Sequence, residues 1–351
     1  MATAFFVSTP NLSRANKMTL PGEKLIIRIW ESVADKGIGS IFRPAQIRRE
    51  GLANIEVRRA EQLALAQMER EIQEIRNGTR ELSDFSLKLP FADERRVKSN
   101  LRVEPVINTA TLIEKVSLQG MADSLQKEVN ITKALIYAEE SVMQDDAEPS
   151  DEKVEDDWIY RWKDCASQIS SDDMQRLWGR LLAGEVKQPG AYSLRCLEFV
   201  RNLSQREAKL IERVLRLDLD GAIWSGFEVE DGALRYAEYL ELESLGILTG
   251  VTGNISNNIT THEPGVKWIR FLRSHKKGLL ITHSDLNATL KIKGYAVSAL
   301  GLQMKSLAEL ECDEKYLRKL GEFVKEQGFS VEIVDYLLKD GYYMFGNAIE
   351  L

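Results

Sequence analysis

Apolar positions recur along this chain in two rhythms. Up to about residue 217 they return every three or four positions, the spacing that lines one face of a helix. Beyond it they mostly alternate with polar positions, as on a half-buried strand. Residues 1–18 read as a flexible tail. In "TLPGEKLIIRIWESVADKGIGSIFRP", Thr19 and Pro21 are helix-start signals. Leu25, Ile26, Ile29, Trp30 and Val33 then share a face, and Gly37 and Gly39 end the helix. Residues 45–82 predict one long charged helix, with Leu65, Met68, Ile72 and Ile75 spaced as a coiled-coil seam. Arg58 and Gln62 stand where the seam would continue, so this helix is expected to pack on its own chain or a sister subunit. The stretch 93–102, "DERRVKSNLR", reads as a solvated, basic-leaning loop, and 108–143 as a further helix. The acidic run "MQDDAEPSDEKVEDD" (143–157) reads as a flexible boundary, because it has little apolar surface to offset the entropy of ordering.

The segment from Asp156 to Leu217 carries the densest pattern. Trp158 and Trp162 lie one turn apart, behind an N-cap expected at Asp156 or Asp157. Ser170 or Ser171 is placed to cap the next helix, with Asp172 and Asp173 at its positive end. Met174, Leu177, Trp178, Leu181 and Leu182 form a complete stripe, and Gly179 and Ala183 beside it permit close helix approach. Burying such side chains stabilises by roughly 1.5–3 kcal/mol each. Pro189 cannot continue the helix and Gly190 permits a positive φ. Ser193 is then expected to cap a helix presenting Leu194, Leu197, Val200 and Leu203, and Ser204 with Glu207 makes a capping box for the next. "EVKQPGAYS" therefore reads as a corner between antiparallel helices.

After Leu217, "LRYAEYLELESLGIL" predicts a helix ending at Gly246. Strand-like segments follow, then a helix capped by Ser298, a helix over 313–327, and an Asp340-Gly341 hairpin. The expected fold is mainly α: long N-terminal helices and a central helical bundle, followed by a small α+β, winged-helix-like C-terminal module. The expected divisions are 1–18, 19–145, 155–217 and 218–351.

Composition narrows the partners. The net charge of −7 disfavours a whole-protein grip on nucleic acid or anionic lipid. The first amphipathic helix has no cationic excess on its polar face, which disfavours a membrane surface. Cys165, Cys196 and Cys312 are widely separated and in no C-x-x-C spacing, which argues against a disulfide framework or a structural zinc site and fits a cytoplasmic protein. No secretory leader or spanning segment is expected.

Candidate chemistry is thin. Arg180, Glu185 and Arg195 cluster near the Pro-Gly corner and could hold an anion or a partner, or pair with each other. Lys267, Arg270, Arg273, Lys276, Lys277, Lys291 and Lys293, with Trp268 and Phe271 among them, are candidate nucleic-acid contacts. The helix expected to read bases carries only Lys305 and ends in Glu309 and Glu311. His262, His275 and His283 have no metal-ligand spacing, and no phosphate-loop, dinucleotide or nucleophile-elbow motif occurs. No catalytic residue, metal, cofactor or small-molecule substrate is assigned.

The string Asp157-Trp158-Ile159, then "MQRLWGRLLAGE" (174–185), then "PGAYSLRCLEFVRNLSQREA" (189–208), resembles an uncharacterised bacterial family known only as a domain of unknown function. "KGIGSIFRPAQIRREG" (36–51) resembles its N-terminal part, and the likeness covers most of 24–217. The order of "LLAGE" and "LSQREA" is similar, more loosely, to the abortive-infection alpha proteins of phage defence. Neither resemblance implies catalytic residues. Three readings follow: a non-enzymatic protein acting through protein contacts and self-association, with phage defence implied by the second resemblance; a winged-helix-type DNA-binding regulator; and an enzyme of unknown type.

Overall fold

The computed structural model describes residues 22–34, 36–37, 54–79, 109–143, 145, 148–227, 233–253, 255–308, 310–339 and 342–351. The expected tail, Thr19, Pro21, Gly39, the basic loop at 93–102, Glu309 and the Asp340-Gly341 pair lie outside them. The chain divides into two compact units, Met1–Ala191 and Tyr192–Leu351. The helices expected as one central bundle over 155–217 are thus distributed between both. As a whole the described residues are mixed α+β rather than mainly α: the alternating segments after Leu217 build eight strands in two antiparallel sheets.

The first unit contains α1 (Glu23–Ala34), α2 (Asn54–Arg76), α3 (Thr109–Val142), α4 (Asp156–Ser167) and α5 (Asp172–Lys187). The seam of α2 packs on α3. Leu65, Ile72 and Ile75 are buried against Ala122, Val129 and Ile136, with Met68, Leu118 and Leu125 at the margin. The helix therefore meets its own chain. On α5, Trp178, Leu181 and Leu182 are buried while Met174 and Leu177 are only partly covered. Trp158 and Trp162 of α4 are buried as well, and the Trp162 indole Nε1 donates to the Trp178 carbonyl at 2.9 Å. Ser171 caps α5, accepting from the Met174 N–H. No side chain caps α4, whose N-cap is Glu155.

Gly179 marks the tightest contact. A Cβ there would lie 2.7 Å from the Ala138 nitrogen and 2.8 Å from the Ala134 carbonyl oxygen, both backbone atoms of α3. Only a residue without a side chain allows this approach.

The acidic boundary is corrected by the structure. Lys24 pairs with Glu148, and Lys36 with Asp156 at 2.5 Å. The Arg28 guanidinium donates to the Glu152 carbonyl at 3.0 Å, and Val154 is buried. The described part of the segment is thus strapped to α1 by cations far away in sequence, which supply what its own composition lacks.

The second unit contains α6 (Leu194–Arg201), α7 (Gln205–Leu215), β1 (Ala222–Trp224), α8 (Tyr236–Ser244), β2 (Leu248–Thr249), β3 (Ile255–Ile259), β4 (Trp268–Arg273), β5 (Lys277–His283), β6 (Leu290–Val297), α9 (Ala299–Leu307), α10 (Glu314–Glu326), β7 (Ser330–Lys339) and β8 (Tyr342–Glu350). Ser193 and Ser298 cap α6 and α9, and the Ser204–Glu207 capping box opens α7. On α6 the buried set is Cys196, Leu197 and Val200, while Leu194 is exposed. One sheet is centred on β6, which pairs β1 on one side and β2 and β3 on the other. The second is an antiparallel sheet in the order β4-β5-β7-β8. Leu317, Leu320 and Val324 of α10 are buried, as are Leu279 and Ile281 of β5 and Val331 and Ile333 of β7.

Replacing Gly179 with alanine sets two effects against each other. Alanine favours a helix interior by about 0.5–1 kcal/mol. Overpacking typically costs about 1–3 kcal/mol. Because the opposing atoms belong to the α3 backbone, the clash wins. Gly179→Ala is expected to lower the denaturant midpoint of unfolding, and a raised midpoint would contradict the close approach.

Candidate functional site

Strands β7 and β8 form a long hairpin in which Lys339 pairs with Tyr342, so Asp340 and Gly341 are the two intervening residues. Directly opposed residues share a face. Leu337 opposite Met344 therefore faces one way, while Leu338 opposite Tyr343 and Tyr336 opposite Phe345 face the other. Both faces are apolar and open. Leu337 is 71% exposed, Leu338 63%, Met344 57%, Phe345 49% and Ile349 46%.

The aromatic face has internal support. Phe271 of β4 packs edge-on against Tyr336, Tyr343 and Phe345, with ring centroids 5.2, 5.6 and 4.9 Å away. Gly278 makes room for it, since a Cβ there would lie 2.5 Å from the Phe271 ring. Arg273 stacks over Tyr343 at 5.6 Å and donates to its hydroxyl. The same guanidinium donates to Asp220 at 2.5 Å, and the Arg273 N–H donates to the second Asp220 oxygen at 2.9 Å. Asp220 adopts a left-handed φ of 52° in the two-residue Asp220-Gly221 turn between Leu219 and Ala222.

Farther along the hairpin, the register shifts between Ile333 and Asp335. Asn347, at φ 44°, donates from Nδ2 to Asp335 at 2.7 Å. This bond, helped by Lys277 at 3.3 Å, holds the Asp335 carboxyl below its ordinary range.

The residues singled out by sequence fall elsewhere or are already engaged. Glu185 is buried on α5, and its Oε1 accepts the Gly190 N–H at 2.7 Å. The Pro-Gly turn is thus a corner fastened by this carboxylate. Arg180 is half-buried on the same helix, and its Nε has no hydrogen-bond partner among the described residues. Arg195 is exposed on α6, in the other unit.

The basic set does not form one strip. Lys267 immediately precedes β4, and Arg270, Arg273, Lys276 and Lys277 lie on or between β4 and β5, whereas Lys291 and Lys293 lie on β6 in the other sheet. Lys267 pairs with Glu263 at 3.8 Å, and Lys277 with Glu314 at 2.8 Å. Arg270 faces His262 Nδ1 at 3.4 Å. Lys276, Lys291 and Lys293 are exposed.

The histidines are separated too. His275 donates to the Leu215 carbonyl at 2.9 Å, and burial holds its pKa down. His283 accepts the Asp285 N–H at 3.0 Å. Among the described residues no three metal-binding side chains come together.

The first unit offers a shallow cleft of about 220 Å³ between α2, α3 and the start of α5. Its charges are internally matched. Lys133 meets Glu69 at 2.5 Å, and Arg176 lies over the Tyr137 ring at 4.2 Å, within 3.7 Å of Glu140 and Asp172. Burial, and donation to Asp172 at 2.7 Å, push the Tyr137 phenol up to about 12, so it stays protonated at neutral pH.

Two features were missed in the sequence. Asp220-Gly221 is the same hairpin dipeptide as Asp340-Gly341. The hairpin itself was expected, but not its two apolar faces, which are signalled where alternation fails in "DYLLKDGYYMF".

Residues 117–222 match DUF2806, described as a protein of unknown function. This agrees with the resemblance to an uncharacterised domain family, and it brings no evidence for the abortive-infection likeness. No curated protein and no solved structure matches the chain. Among the described residues no helix is long and apolar enough to cross a membrane.

Asp335 makes one consequence measurable. A carboxyl held low in the folded state stabilises above the unfolded value, near 3.9, and that contribution disappears as pH falls through the folded value. Protection of the β8 amides, taken relative to their intrinsic exchange rates, is expected to fall below about pH 4. Asn347→Ala should weaken that fall by removing the bond that holds the carboxyl low, and an unchanged profile would remove Asn347 from the clamp.

Proposed function

We propose that this chain works through protein contacts and self-association rather than catalysis, with the β7–β8 hairpin as its contact surface. One observation carries the reading: apolar side chains on both faces of an edge hairpin, with Leu337, Leu338, Met344 and Phe345 each about half exposed or more. Surfaces of this kind mark protein association sites. An edge strand is also a template for pairing. The enzymatic reading loses its one carboxylate, because Glu185 is committed to Gly190. A role in phage defence rests on the abortive-infection likeness alone.

Light scattering of the full chain over rising concentration is expected to give a mass above that of one chain. Leu337→Lys with Met344→Lys should return it to one chain with an unchanged circular dichroism spectrum. A wild-type chain that stays monomeric throughout would overturn the reading.

A second reading, DNA binding by a winged-helix-like module, draws on the sheet order β1-β6-β2 with α8 leading into β2. Lys291 and Lys293, two residues apart on one face of β6, are the exposed cations it would use. Two cations of α7 are already engaged, since Arg213 and Arg206 pair with Glu238 and Glu241 of α8. On this reading a low-salt mobility shift appears and is lost with Lys291→Glu and Lys293→Glu. Absence of a wild-type shift sinks it.

A further inference from the structure

The β4-β5-β7-β8 sheet has one face covered by α10. A Cβ on Gly321 of α10 would lie 3.4 Å from Val331 of β7, which opposes Ile281 of β5. Leu279 and Ile281 are buried on that side, whereas Leu280 and Thr282, which alternate with them, are not. Phe271 opposes Leu280 and so belongs to the other face, where it packs with Tyr336, Tyr343 and Phe345. Of these rings, Tyr343 is 38% exposed and Phe345 49%.

Two cations border the rings. Arg273 stacks over Tyr343. Asp220 holds its Nε, and its Nη1 donates to the Tyr343 hydroxyl, which leaves Nη2 without a hydrogen bond among the described residues. Lys276 lies beside Tyr336, whose N–H donates to the Lys276 carbonyl at 3.1 Å. Its side chain is exposed and has no ion pair among the described residues. Of the nearer carboxylates, Asp220 is bound to Arg273, and Asp335 to Lys277 and Asn347. Glu332, opposite Glu350, stands roughly 13 Å along β7 from Tyr336.

We infer that this face binds single-stranded nucleic acid, with bases stacked on Tyr343 and Phe345 and phosphates held by Lys276 and the free end of Arg273. Rings and cations together select this occupant. Leu337 and Met344, open on the opposite face of the hairpin, suit any apolar surface. On this face the rings offer flat π surfaces on which every base can stack. The cations beside them match a charged backbone. A duplex fits less well, because its bases are stacked inside and cannot reach the rings. The site goes beyond self-association and leaves Leu337 and Met344 free for it.

Titration of the full chain into a labelled oligothymidylate of about 12 nucleotides, followed by fluorescence anisotropy, tests this. Binding is expected at low salt, weakening as salt rises, with a duplex of the same length bound less tightly. Phe345→Leu keeps the apolar bulk and removes the ring. It is expected to weaken binding roughly 5- to 150-fold, the loss of one stacked base, and Phe345→Trp to preserve it. Lys276→Gln should reduce the slope of log affinity against log salt by about 0.7. No wild-type binding, or binding unchanged by Phe345→Leu in a chain that circular dichroism shows to be folded, overturns the inference. A duplex bound as tightly as the single strand overturns it too, and points to phosphate contacts alone, as at Lys291 and Lys293. Should Phe345→Leu not fold, an unchanged salt slope in Lys276→Gln is the overturning result. None of these outcomes alters the mass that light scattering reads for the wild-type chain, so self-association stands or falls separately.

Discussion

The approach of α5 to α3 at Gly179 is the constraint on which the first unit depends. With no side chain at 179, α5 settles against the backbone at Ala134 and Ala138. Trp178, Leu181 and Leu182 are then buried, and the Trp178 carbonyl meets the Trp162 indole. One hydrogen bond contributes only about 0.5–1.5 kcal/mol net, whereas three large buried side chains contribute roughly 1.5–3 kcal/mol each. Packing thus dominates the stability, and the indole bond fixes how α4 is placed on α5. The buried Glu185 then fastens the corner beyond the helix, where an unpaired carboxylate would be costly.

The second unit is organised differently. The eight strands of its described residues divide between two sheets, and long-range pairs hold it together: β1 with β6, the Trp224 N–H with the Tyr316 hydroxyl at 2.6 Å, and Arg273 with Asp220. Three of the cations singled out in sequence, Lys267, Arg273 and Lys277, are in ion pairs, while Lys276, Lys291 and Lys293 stay exposed and are divided between the two sheets. The apolar side chains left open on β7 and β8 lie together on one hairpin.

Local features were legible in the sequence. The stripe on α5, the seam on α2, the serine caps and the Pro-Gly corner each depend on residues a few positions apart, where helical periodicity and capping preferences act directly. Non-local features were hidden. The acidic boundary looked unable to order because its partners, Lys24, Arg28 and Lys36, come more than a hundred residues earlier. The basic set looked continuous because Lys291 follows Lys277 in sequence, yet a change of sheet separates them. The strands were visible as alternation, but no local signal says which strand pairs which. The β7–β8 hairpin was legible from Asp340-Gly341 between two apolar runs, but the openness of its faces was not, because apolar residues on both faces read equally well as a fully buried strand.

The stretch that recurs in other proteins, 117–222, does not coincide with a self-sufficient piece of this chain. It starts inside α3, leaving Leu65, Ile72 and Ile75 of α2 on the far side of the cut. It stops at Ala222, the first residue of β1, whose ladder partner β6 is supplied some seventy positions later. Expressed alone, the excised stretch would expose its helix seams and lose the strand on which β1 is anchored. In this chain the matched stretch is completed by α2 before it and by β6 after it.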